Sequence, residues 1–581
     1  MKLKFLSPIL LVTFIQCQTN QENIKPNILL IMADDMGYGD VSGIGNPYLQ
    51  TPNLDRLASQ SISFKNFYVS PVCAPTRASL LTGRYHQEIG VRSVLNGFEI
   101  MDPNAVTLAE ILKQDGYQTA LYGKWHLGEY YPSTPNAQGF DDYFGFRTGH
   151  TTNYFDPILE HNGIMEQSRG YITDILTDKA IEFMDKPSND PFFCYLPYNA
   201  PHTPLQIERG KYEHFLQMGL TEDVSKVYGM IENIDENIGR IIDFLDASNQ
   251  LNNTIVIFLS DNGPISGWQV PQQKMRYNAG LRNQKFTTYE GGIRTQCYWM
   301  WTGTWEPFYD TMSVAAHIDV VPTLAGILNI SLADSLSVDG IDLRKVLEDH
   351  VSLSNERIYF EDYDFPAVRK PALFAGGMAR KGFWKLHGGN ELYNLYSDEG
   401  ERINVATQYP EVLNELREAY KNYYKNSYAE SYFTPRPIKV GFKEENPIAI
   451  KSHHGIAYGN VKYTSEGGRT HPYGMDHQWT SGWISRGDKM EWEVDFIENA
   501  KYEIGITING NLQNESCSIK VYVADEEFHV DIPNIHESEN WIYIPLLKTT
   551  RFGITNIRIE LYEINNSDVL NINELVILNL D

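Results

Sequence analysis

Two uninterrupted apolar runs constrain the fold of this chain more than any other feature. Residues 27–33 read Asn-Ile-Leu-Leu-Ile-Met-Ala, and residues 254–259 read Thr-Ile-Val-Ile-Phe-Leu. Short runs without polar alternation are typical of strands buried on both faces of a parallel sheet. Oxygen-bearing side chains follow both runs, because Asp34 and Asp35 come after the first and Ser260, Asp261 and Asn262 after the second. Ligands collect at the carboxyl ends of parallel strands, so these positions are candidate ligand residues.

Helix signals lie between the predicted strands. Thr51 is predicted to cap a helix that begins at Pro52, and Thr107 with Glu110 forms a capping box before another helix. Residues 118–125 are predicted as a further strand. Strands that alternate with amphipathic helices predict an α/β domain over residues 24–331, with a mostly parallel sheet flanked by helices.

The remainder of the chain has a different organisation. Residues 332–430 are predicted as a smaller C-terminal subdomain with short strands and a helix near 410–425. Residues 431–447 are rich in proline and charge and indicate a linker. Residues 448–581 show apolar residues at every second position between glycine and asparagine signals, which predicts an appended β-sandwich.

The N-terminus indicates export. Residues 1–17 carry Lys2 and Lys4 near their start, followed by an apolar run that is too short to span a bilayer. Cys17 directly after this run leaves two alternatives, a lipid-anchored mature chain at the outer membrane or a plainly cleaved signal. We expect a periplasmic protein, with a lipoprotein or a secreted protein as the alternatives. No other stretch has the length and apolarity of a transmembrane helix.

Charge and cysteine content exclude several classes of protein. The 581 residues include 74 Asp and Glu against 48 Lys and Arg, for a net charge of −26. A nucleic-acid partner is therefore not expected, because phosphate neutralisation needs a basic face. Any bound anion needs a local basic pocket. Five cysteines in a chain of this length do not make a disulfide scaffold.

One cysteine has an unusual setting. Cys73 precedes Pro75 and Arg77 at the start of an apolar helical run. Proline suits a first helical turn, and a helix N-terminus attracts anions such as sulfate or phosphate. A cysteine before a helix is by default a small buried residue, so the position alone leaves both interpretations open.

Other candidate residues are ambiguous one at a time. Lys124 and His126 are two positions apart and share a face of an extended segment, His202 lies between prolines, and Lys285 precedes a glycine-rich turn. Each alone is typical of a solvated surface residue. The candidate metal ligands Asp34, Asp35, Asp261 and Asn262 could likewise be caps and turn formers. If they bind a metal together, their oxygen ligands favour Ca²⁺ or Mg²⁺ over zinc.

The amino-acid sequence of residues 71–85 favours a functional role for these residues over a purely structural one. Cys73-x-Pro75-x-Arg77 followed by Ala-x-Leu-Leu-Thr-Gly-Arg resembles the signature of the formylglycine-dependent type I sulfatases, arylsulfatase-like members of the alkaline phosphatase superfamily. Thr76 stands where serine is usual and keeps the hydroxyl group. Further stretches between residues 26 and 425 are similar to landmarks of this family, namely 34–40, 123–128, 139–145, 201–202, 260–263, 285–294 and 317–323.

The resemblance implies an alkaline-phosphatase-like fold and a mechanism. A maturation enzyme would oxidise Cys73 to formylglycine, whose hydrated form attacks sulfur. One calcium ion, Ca²⁺, would be bound by the modified residue 73 together with Asp34, Asp35, Asp261 and Asn262. The resemblance also implies the remaining roles: Arg77 and Lys124 position residue 73 and the anion, His126 takes a proton from the sulfated intermediate, and His202 and Lys285 contact the sulfate, one of them protonating the leaving oxygen.

The resemblance to bacterial polysaccharide sulfatases points to a sulfated oligosaccharide or polysaccharide. An algal polysaccharide such as ulvan is the first expectation, and glycosaminoglycan fragments are the second. Loop residues supply the candidate sugar contacts, His150, Asn153, Trp268, Arg282, Asp362 and Tyr363.

Two other functions stay open at this stage. One is a phosphomonoesterase or phosphodiesterase of the same superfamily. The other is a non-catalytic carbohydrate-binding surface protein. The second is suggested by aromatic and basic residues in a glycine-rich segment, Arg469, His471, Tyr473, Trp479 and Trp483, although packing in a core would explain the aromatic residues equally.

Overall fold

The computed structural model describes residues 25–265, 276–333, 336–364, 371–428, 435–464, 470–471, 479–512, 517–565 and 569–581. The predicted export signal at 1–17, Trp268, Arg469 and Tyr473 lie outside these ranges. Within them, no helix combines the length and apolarity needed to cross a bilayer.

The helices are short except for two. Their bounds are α1 Pro52–Ser59, α2 Cys73–Thr82, α3 Leu108–Gln114, α4 Ile172–Met184, α5 Arg209–Gln217, α6 Glu222–Ala247, α7 Glu290–Ile293, α8 Val320–Ile327, α9 Arg344–Asp349 and α10 Pro410–Ser427.

The strands of the first 400 residues are mostly short. They are β1 Asn27–Ala33, β2 Ile62–Phe64, β3 Phe67–Tyr68, β4 Gln118–Lys124, β5 Asp142–Phe146, β6 Ile158–His161, β7 Ile164–Gln167, β8 Phe192–Pro197, β9 Thr254–Ser260, β10 Arg294–Thr295, β11 Cys297–Met300, β12 Phe308–Asp310, β13 Ala315–Ala316, β14 Ile358–Glu361, β15 Met378–Lys381, β16 Trp384–His387 and β17 Glu391–Asn394.

The strands of the C-terminal part include three long ones. They are β18 Ile438–Val440, β19 Ile448–Lys451, β20 Ile456–Tyr458, β21 Lys462–Thr464, β22 Thr470–His471, β23 Trp479–Ser481, β24 Lys489–Leu512, β25 Cys517–Val523, β26 Glu526–Ile532, β27 Ile535–Glu563 and β28 Val569–Asn579.

A ten-stranded sheet in the order β12-β2-β11-β9-β1-β8-β4-β5-β6-β7 forms the centre of the first part. The five strands from β9 to β5 are all parallel, and antiparallel pairing is confined to the flanks. The two apolar runs that predicted buried strands are β1 and β9, which pair directly along their whole length. The predicted α/β architecture is confirmed.

The central strands are buried on both faces. Alternate residues of β1 enter two separate cores, with Leu29 and Ile31 in one and Ile28 and Leu30 in the other. Helices α1, α4, α5 and α6 cover the first face, and α2, α3, α8 and α9 cover the second. Water is therefore excluded from both sides of the strands that carry the site.

The two predicted helix caps have different outcomes. Thr107 accepts a hydrogen bond from the Glu110 amide at 3.2 Å while the Glu110 carboxylate accepts one from the Thr107 amide at 2.8 Å, which confirms the capping box. Helix α1 begins at Pro52 as predicted, but Thr51 does not cap it. Asp235 of α6 accepts the hydrogen bond of the Leu54 amide instead, at 2.7 Å. A tertiary contact replaces the local cap.

The subdomain after the central sheet is a four-stranded antiparallel sheet, β14-β15-β16-β17, with α10 packed against it. A buried ion network joins it to the α/β part. Lys385 Nζ lies 2.9 Å from Glu290 and 2.8 Å from Glu401.

The C-terminal part is one continuous eleven-stranded sheet that is mostly antiparallel. Its long strands β24 and β27 pair with each other, with several register shifts along their length. Strand β18 lies inside the predicted linker and pairs with β24, so the sheet begins earlier in the chain than residue 448. Trp483, one of the aromatic residues considered for sugar binding, is buried in the core of this sheet.

Candidate active site

The strand order explains why residues far apart in sequence meet at one edge. Strands β9, β1, β8 and β4 are consecutive neighbours and parallel. Their carboxyl ends therefore lie side by side and carry, in that order, Asp261 with Asn262, Asp34 with Asp35, the loop to His202, and Lys124 with His126. The helix N-terminus that carries Cys73 also lies at this edge, since the Cys73 thiol contacts His126.

Two acidic residues of the site are paired with buried cations. Asp34 Oδ2 accepts a hydrogen bond from Lys124 Nζ at 2.6 Å. Asp261 Oδ2 accepts one from Arg77 at 2.8 Å, and Arg77 also donates to the Lys124 carbonyl at 3.0 Å. All four side chains are fully buried. Arg77 and Lys124 thus fix the positions of both carboxylates.

Asp35 has a separate set of partners. Its Oδ1 accepts hydrogen bonds from Lys285 Nζ at 2.5 Å and from the Asn262 amide group at 2.7 Å. His202 Nε2 lies 3.7 Å from its Oδ2. Burial acts to raise the pKa of Asp35, but the charge and hydrogen bond of Lys285 lower it below the usual range. Asp35 is therefore ionised at neutral pH.

Three oxygen atoms of this group have no hydrogen-bond partner, although all three are buried: Asp34 Oδ1, Asp35 Oδ2 and Asn262 Oδ1. Buried polar atoms without a partner are rare because each costs free energy. Burial, followed by the neighbouring charge of Asp34, raises the pKa of Asp261 to about 7. Unpaired oxygens and crowded carboxylates fit a hard divalent cation such as Ca²⁺ or Mg²⁺.

Cys73 is the first residue of α2 and is 3% exposed. Its Sγ lies 3.3 Å from His126 Nδ1. Ligand atoms of Cys73, Asp34 and Asp261 all lie within 4.8 Å of one another. Burial raises the pKa of the Cys73 thiol, although Lys124 and Lys285 oppose this effect. The side chain of residue 73 thus faces the candidate cation site on one side and an imidazole on the other.

The hydroxyl of Thr76 supports this arrangement. Thr76 Oγ1 accepts a hydrogen bond from the Ser70 amide at 3.0 Å and donates one to the Asp261 carbonyl at 2.6 Å. It therefore ties the first turn of α2 to the end of β9. Because serine offers the same hydroxyl, the departure from the usual serine preserves the contact.

Substitution of Thr76 tests this role. We expect Thr76→Ser to retain wild-type stability, whereas Thr76→Val should lower the free energy of unfolding by about 1–3 kcal/mol because the buried Asp261 carbonyl loses its donor. Chemical denaturation of both variants measures the difference. Equal stability of the valine and serine variants would contradict the proposed contact.

Backbone strain is concentrated at the same edge. Asp35 and His126 adopt positive φ values of 65° and 62°. Residues other than glycine rarely adopt this left-handed conformation, and surrounding structure must enforce it. Gly263 meets a different constraint, because a Cβ atom there would lie 1.9 Å from the Gly291 carbonyl oxygen. The loop after Asn262 therefore packs against backbone that only glycine can approach.

Two imidazoles border the site. The rings of His150 and His202 are stacked with centroids 6.3 Å apart. His202 Nδ1 lies 2.7 Å from the Thr203 carbonyl oxygen, which directs Nε2 toward Asp35. Burial lowers the pKa of His202 to about 3, although Asp35 opposes this effect. His202 is therefore neutral at pH 7 before an anion binds.

A family model described as Sulfatase matches residues 26–330, which is more than half of the chain. The chain belongs to the sulfatase family. The sulfatase therefore has the alkaline-phosphatase-like α/β fold that the resemblance implied, and it is an enzyme that hydrolyses sulfate esters. A non-catalytic surface protein is not supported.

Known proteins are similar to this sulfatase over different lengths. The N-acetylgalactosamine-6-O-sulfatase of Bacteroides thetaiotaomicron is 30% identical over 502 residues, covering 70% of this chain and 94% of that protein. The uncharacterized sulfatase YdeN of Escherichia coli is 30% identical over 379 residues, covering 56% of this chain and 66% of that protein. The crystal structure of Ps i-CgsB in complex with k-i-k-neocarrahexaose is 30% identical with a TM-score of 0.64, covering 70% of this chain and 95% of that chain.

The predicted sugar contacts of the sulfatase differ in how they lie relative to the candidate site. His150 adjoins His202, and Asn153 is exposed. The ring of Tyr363 lies 6.0 Å from that of Phe286, which follows Lys285, so Tyr363 is close to the site.

Two of the predicted sugar contacts make hydrogen bonds within the protein. Asp362 is buried and accepts hydrogen bonds from Gln87, Tyr423 and Tyr428. Arg282 stacks on Tyr289 and donates hydrogen bonds to Tyr393 and to the Glu401 carbonyl. The buried Asp362 is therefore engaged within the protein, whereas the Arg282 side chain is 38% exposed and its sugar contact stays a prediction.

Sequence reasoning missed the residues that support the strained Asp35 loop. Arg276 donates hydrogen bonds to the Asp40 carboxylate and to the Asp35 carbonyl, the latter at 2.7 Å. Gln296 donates to the carbonyl oxygens of Gly37 and Tyr38 at 2.8 and 2.7 Å. Asp40 lies in the 34–40 landmark and could have been suspected. Arg276 and Gln296 carry no local signal, because only the folded chain brings them to this loop.

Proposed function

We propose that this sulfatase hydrolyses sulfate esters of a sulfated carbohydrate, with a formylglycine made from Cys73 by a maturation enzyme and one Ca²⁺ ion. One observation carries this proposal. Three buried oxygens without hydrogen-bond partners lie on Asp34, Asp35 and Asn262 at one sheet edge, where ligand atoms of Asp34, Asp261 and Cys73 lie within 4.8 Å of one another. A site of this kind can hold a nucleophile and a cation that both contact one small tetrahedral anion.

Formylglycine and Ca²⁺ would supply a diol nucleophile and a divalent charge beside the sulfate oxygens. The protein's own side chains account for the other requirements. Arg77 and Lys124 keep Asp261 and Asp34 in place, and their positive charges stabilise an anion in a site from which water is excluded. His126 Nδ1, 3.3 Å from the side chain of residue 73, is positioned to accept a proton from it.

His202 and Lys285 have different roles in this proposal. Burial acts to lower the pKa of Lys285, but Asp35 raises it well above its ordinary value, so Lys285 keeps its positive charge. His202 is neutral in the absence of an anion. A bound sulfate would raise the pKa of His202 because negative charge favours the protonated imidazole. We assign the protonation of the leaving oxygen to His202 and the neutralisation of sulfate charge to Lys285.

A carbohydrate substrate is supported by the similar proteins. The Bacteroides relative is named for a sulfated amino sugar, and the Ps i-CgsB structure contains a neocarrahexaose. We propose fragments of an algal polysaccharide such as ulvan as the first substrate class and glycosaminoglycan fragments as the second.

Sulfate release from defined oligosaccharides tests the substrate class. The chain, produced together with a formylglycine-generating enzyme, is incubated with ulvan, carrageenan and glycosaminoglycan oligosaccharides, and inorganic sulfate is measured by ion chromatography. We expect release from a subset of the sugars, with phosphate esters turned over far more slowly. Faster turnover of phosphate esters would favour the phosphatase alternative and contradict the proposal.

We also propose that the chain is exported, on the basis of residues 1–17. Fractionation of the native host, with labelling of Cys17 by a radioactive fatty acid, separates a lipid-anchored protein from a plainly cleaved one.

A cleft between the α/β part and the C-terminal sheet supports a second function, binding of carbohydrate. The cleft encloses about 610 Å³, and the half-buried rings of Trp479 and Trp541 line it with centroids 5.9 Å apart. Arg147 and Thr148 also line the cleft, three and two residues before His150 of the candidate site. Aromatic faces stack on sugar rings, so we propose that a polymeric substrate extends from the active site into this cleft.

Double substitution of the two tryptophans tests this extension. We expect Trp479→Ala with Trp541→Ala to lower kcat/KM for a sulfated polysaccharide by about tenfold, since each lost stacking contact is worth roughly 0.5–1.5 kcal/mol. Turnover of a small aryl sulfate should stay at the wild-type level, because such a molecule does not reach the cleft. Equal losses on both substrates would indicate a folding defect and contradict a binding role.

A further inference from the structure

A second cluster of metal-ligating side chains lies at the junction between the α/β part and the C-terminal sheet. Glu99 and Glu129 come from the α/β part, and His453 and His454 from the turn after β19. The imidazole rings of the two histidines lie 4.2 Å apart, and both face the carboxylates. This cluster shares no residue with the site of Asp34, Asp35 and Asp261.

The distances within the cluster match those between ligands of one metal ion. His453 Nε2 lies 3.0 Å from Glu129 Oε1, and His454 Nε2 lies 2.9 Å from Glu99 Oε1 and 3.9 Å from Glu129 Oε1. Ligand atoms of Glu129, His453 and His454 lie within 4.8 Å of one another. In a tetrahedral zinc site with bonds of about 2.0–2.1 Å, neighbouring ligand atoms lie roughly 3.4 Å apart.

Burial and charge favour a cation at this position. The side chains of Glu99, His453 and His454 are 7%, 2% and 1% exposed, and that of Glu129 is 13% exposed. Glu99 Oε2 is buried without a hydrogen-bond partner. Two carboxylates removed from water require compensating positive charge.

The neighbouring cations are engaged with other carboxylates. Arg147 pairs with Glu160 and Glu445, and Lys451 pairs with Glu574. The compensating charge must therefore come from protons on the imidazoles or from a metal ion.

A hydrogen bond holds one imidazole in a metal-binding orientation. Tyr130 Oη lies 2.8 Å from His454 Nδ1 and accepts a hydrogen bond from the Lys451 amide at 2.8 Å. With Nδ1 engaged, Nε2 is directed at the two carboxylates. A partner of this kind on the second ring nitrogen is usual for histidines that ligate metals.

We propose that Glu99, Glu129, His453 and His454 bind one Zn²⁺ ion that joins the C-terminal sheet to the α/β part. Two imidazoles with two carboxylates are ligands that suit zinc, whereas Ca²⁺ and Mg²⁺ take oxygen ligands alone. The ligands come from segments more than 300 residues apart, since His453 and Glu129 are separated by 324 positions and His454 and Glu99 by 355. Binding of zinc therefore stabilises the contact between the two parts, on which the cleft beside Trp479 depends.

Zinc titration of the full chain tests this proposal. The chain is stripped with a chelator, saturated with Ca²⁺ to occupy the other site, and titrated with Zn²⁺. We expect one zinc ion per chain by elemental mass spectrometry, together with a rise in Tm. His454→Gln should lose both effects. His529→Gln is the matched control and should retain both, because that histidine is 47% exposed elsewhere on the same sheet.

A calcium-saturated chain that takes up no zinc would overturn the proposal, and the cluster would then consist of carboxylates paired with protonated imidazoles. Zinc uptake that persists in His454→Gln would overturn it as well. If His454→Gln fails to fold, Co²⁺ titration of the wild-type chain decides the question. A tetrahedral nitrogen and oxygen site should give intense visible absorption that Zn²⁺ abolishes, and weak bands alone would overturn the assignment. Sulfate release is measured separately, so this result is independent of the proposed catalytic site.

Discussion

Replacing Cys73 by alanine is expected to reduce release of inorganic sulfate by roughly four orders of magnitude or more, the scale on which removal of a nucleophile acts in other hydrolases. Cys73 is the first residue of α2, faces the candidate cation site and lies beside His126. Alanine preserves the helix but lacks the thiol that the oxidation to formylglycine requires, so no aldehyde forms. Mass spectrometry of the tryptic peptide containing residue 73 should show the aldehyde in the wild-type chain.

Cys297→Ala is the matched control for this substitution. Cys297 is another buried cysteine, on β11 at the flank of the same sheet. We expect Cys297→Ala to retain activity with a modest loss of stability. Sulfate release by Cys73→Ala at the wild-type rate would refute both the nucleophile and the formylglycine proposal.

The second large effect is expected from Asp35→Asn. This substitution keeps the shape of the side chain but removes one negative charge from the candidate cation site and weakens the pairing with Lys285. We expect kcat/KM to fall at least about a hundredfold, because the site loses preorganised charge that acts only when water is excluded. The loss should be partly restored at high Ca²⁺ concentration, since weaker binding of the ion contributes to it. Rates measured over a series of Ca²⁺ concentrations test this expectation.

Asp141→Asn provides the control for the loss of charge. Asp141 lies in another landmark stretch, but its side chain is 45% exposed and pairs with Lys113 at the surface. We expect its substitution to leave both activity and the dependence on Ca²⁺ unchanged. An Asp35→Asn variant with wild-type calcium content and activity would show that the unpartnered oxygens do not bind the ion.

The proposed zinc site and the proposed calcium site differ in the chemistry of their ligands. The ligands around Asp35 are oxygens from strand ends of one sheet. Those around Glu129 combine imidazoles and carboxylates from two parts of the chain. Treatment with a chelator is therefore expected to act twice, abolishing sulfate release through one site and lowering Tm through the other. Re-addition of each metal alone separates the two effects.

Local patterns in the sequence determined the α/β fold, the buried strands β1 and β9, the capping box of α3 and the presence of an all-β C-terminal part. These features follow from the spacing of apolar residues and from short-range caps, which are properties of neighbouring residues. The residues of the candidate active site were identified by the similarity of their sequence to family motifs, because no spacing rule joins Asp34, Cys73 and Asp261. These residues become neighbours through the order of strands in the sheet, which depends on pairing between segments that are distant in sequence.

Tertiary structure alone decided the remaining features. It assigned the cap of α1 to Asp235 instead of Thr51, gave Asp362 a packing role, and placed Arg276 behind the strained Asp35 loop. It also brought His453 to Glu129 across 324 positions of sequence. Each of these contacts joins segments that are remote along the chain, and their energies come from burial and charge pairing that exist only after the chain has folded. Local sequence patterns do not predict these long-range contacts, whereas they do predict which residues become buried on folding.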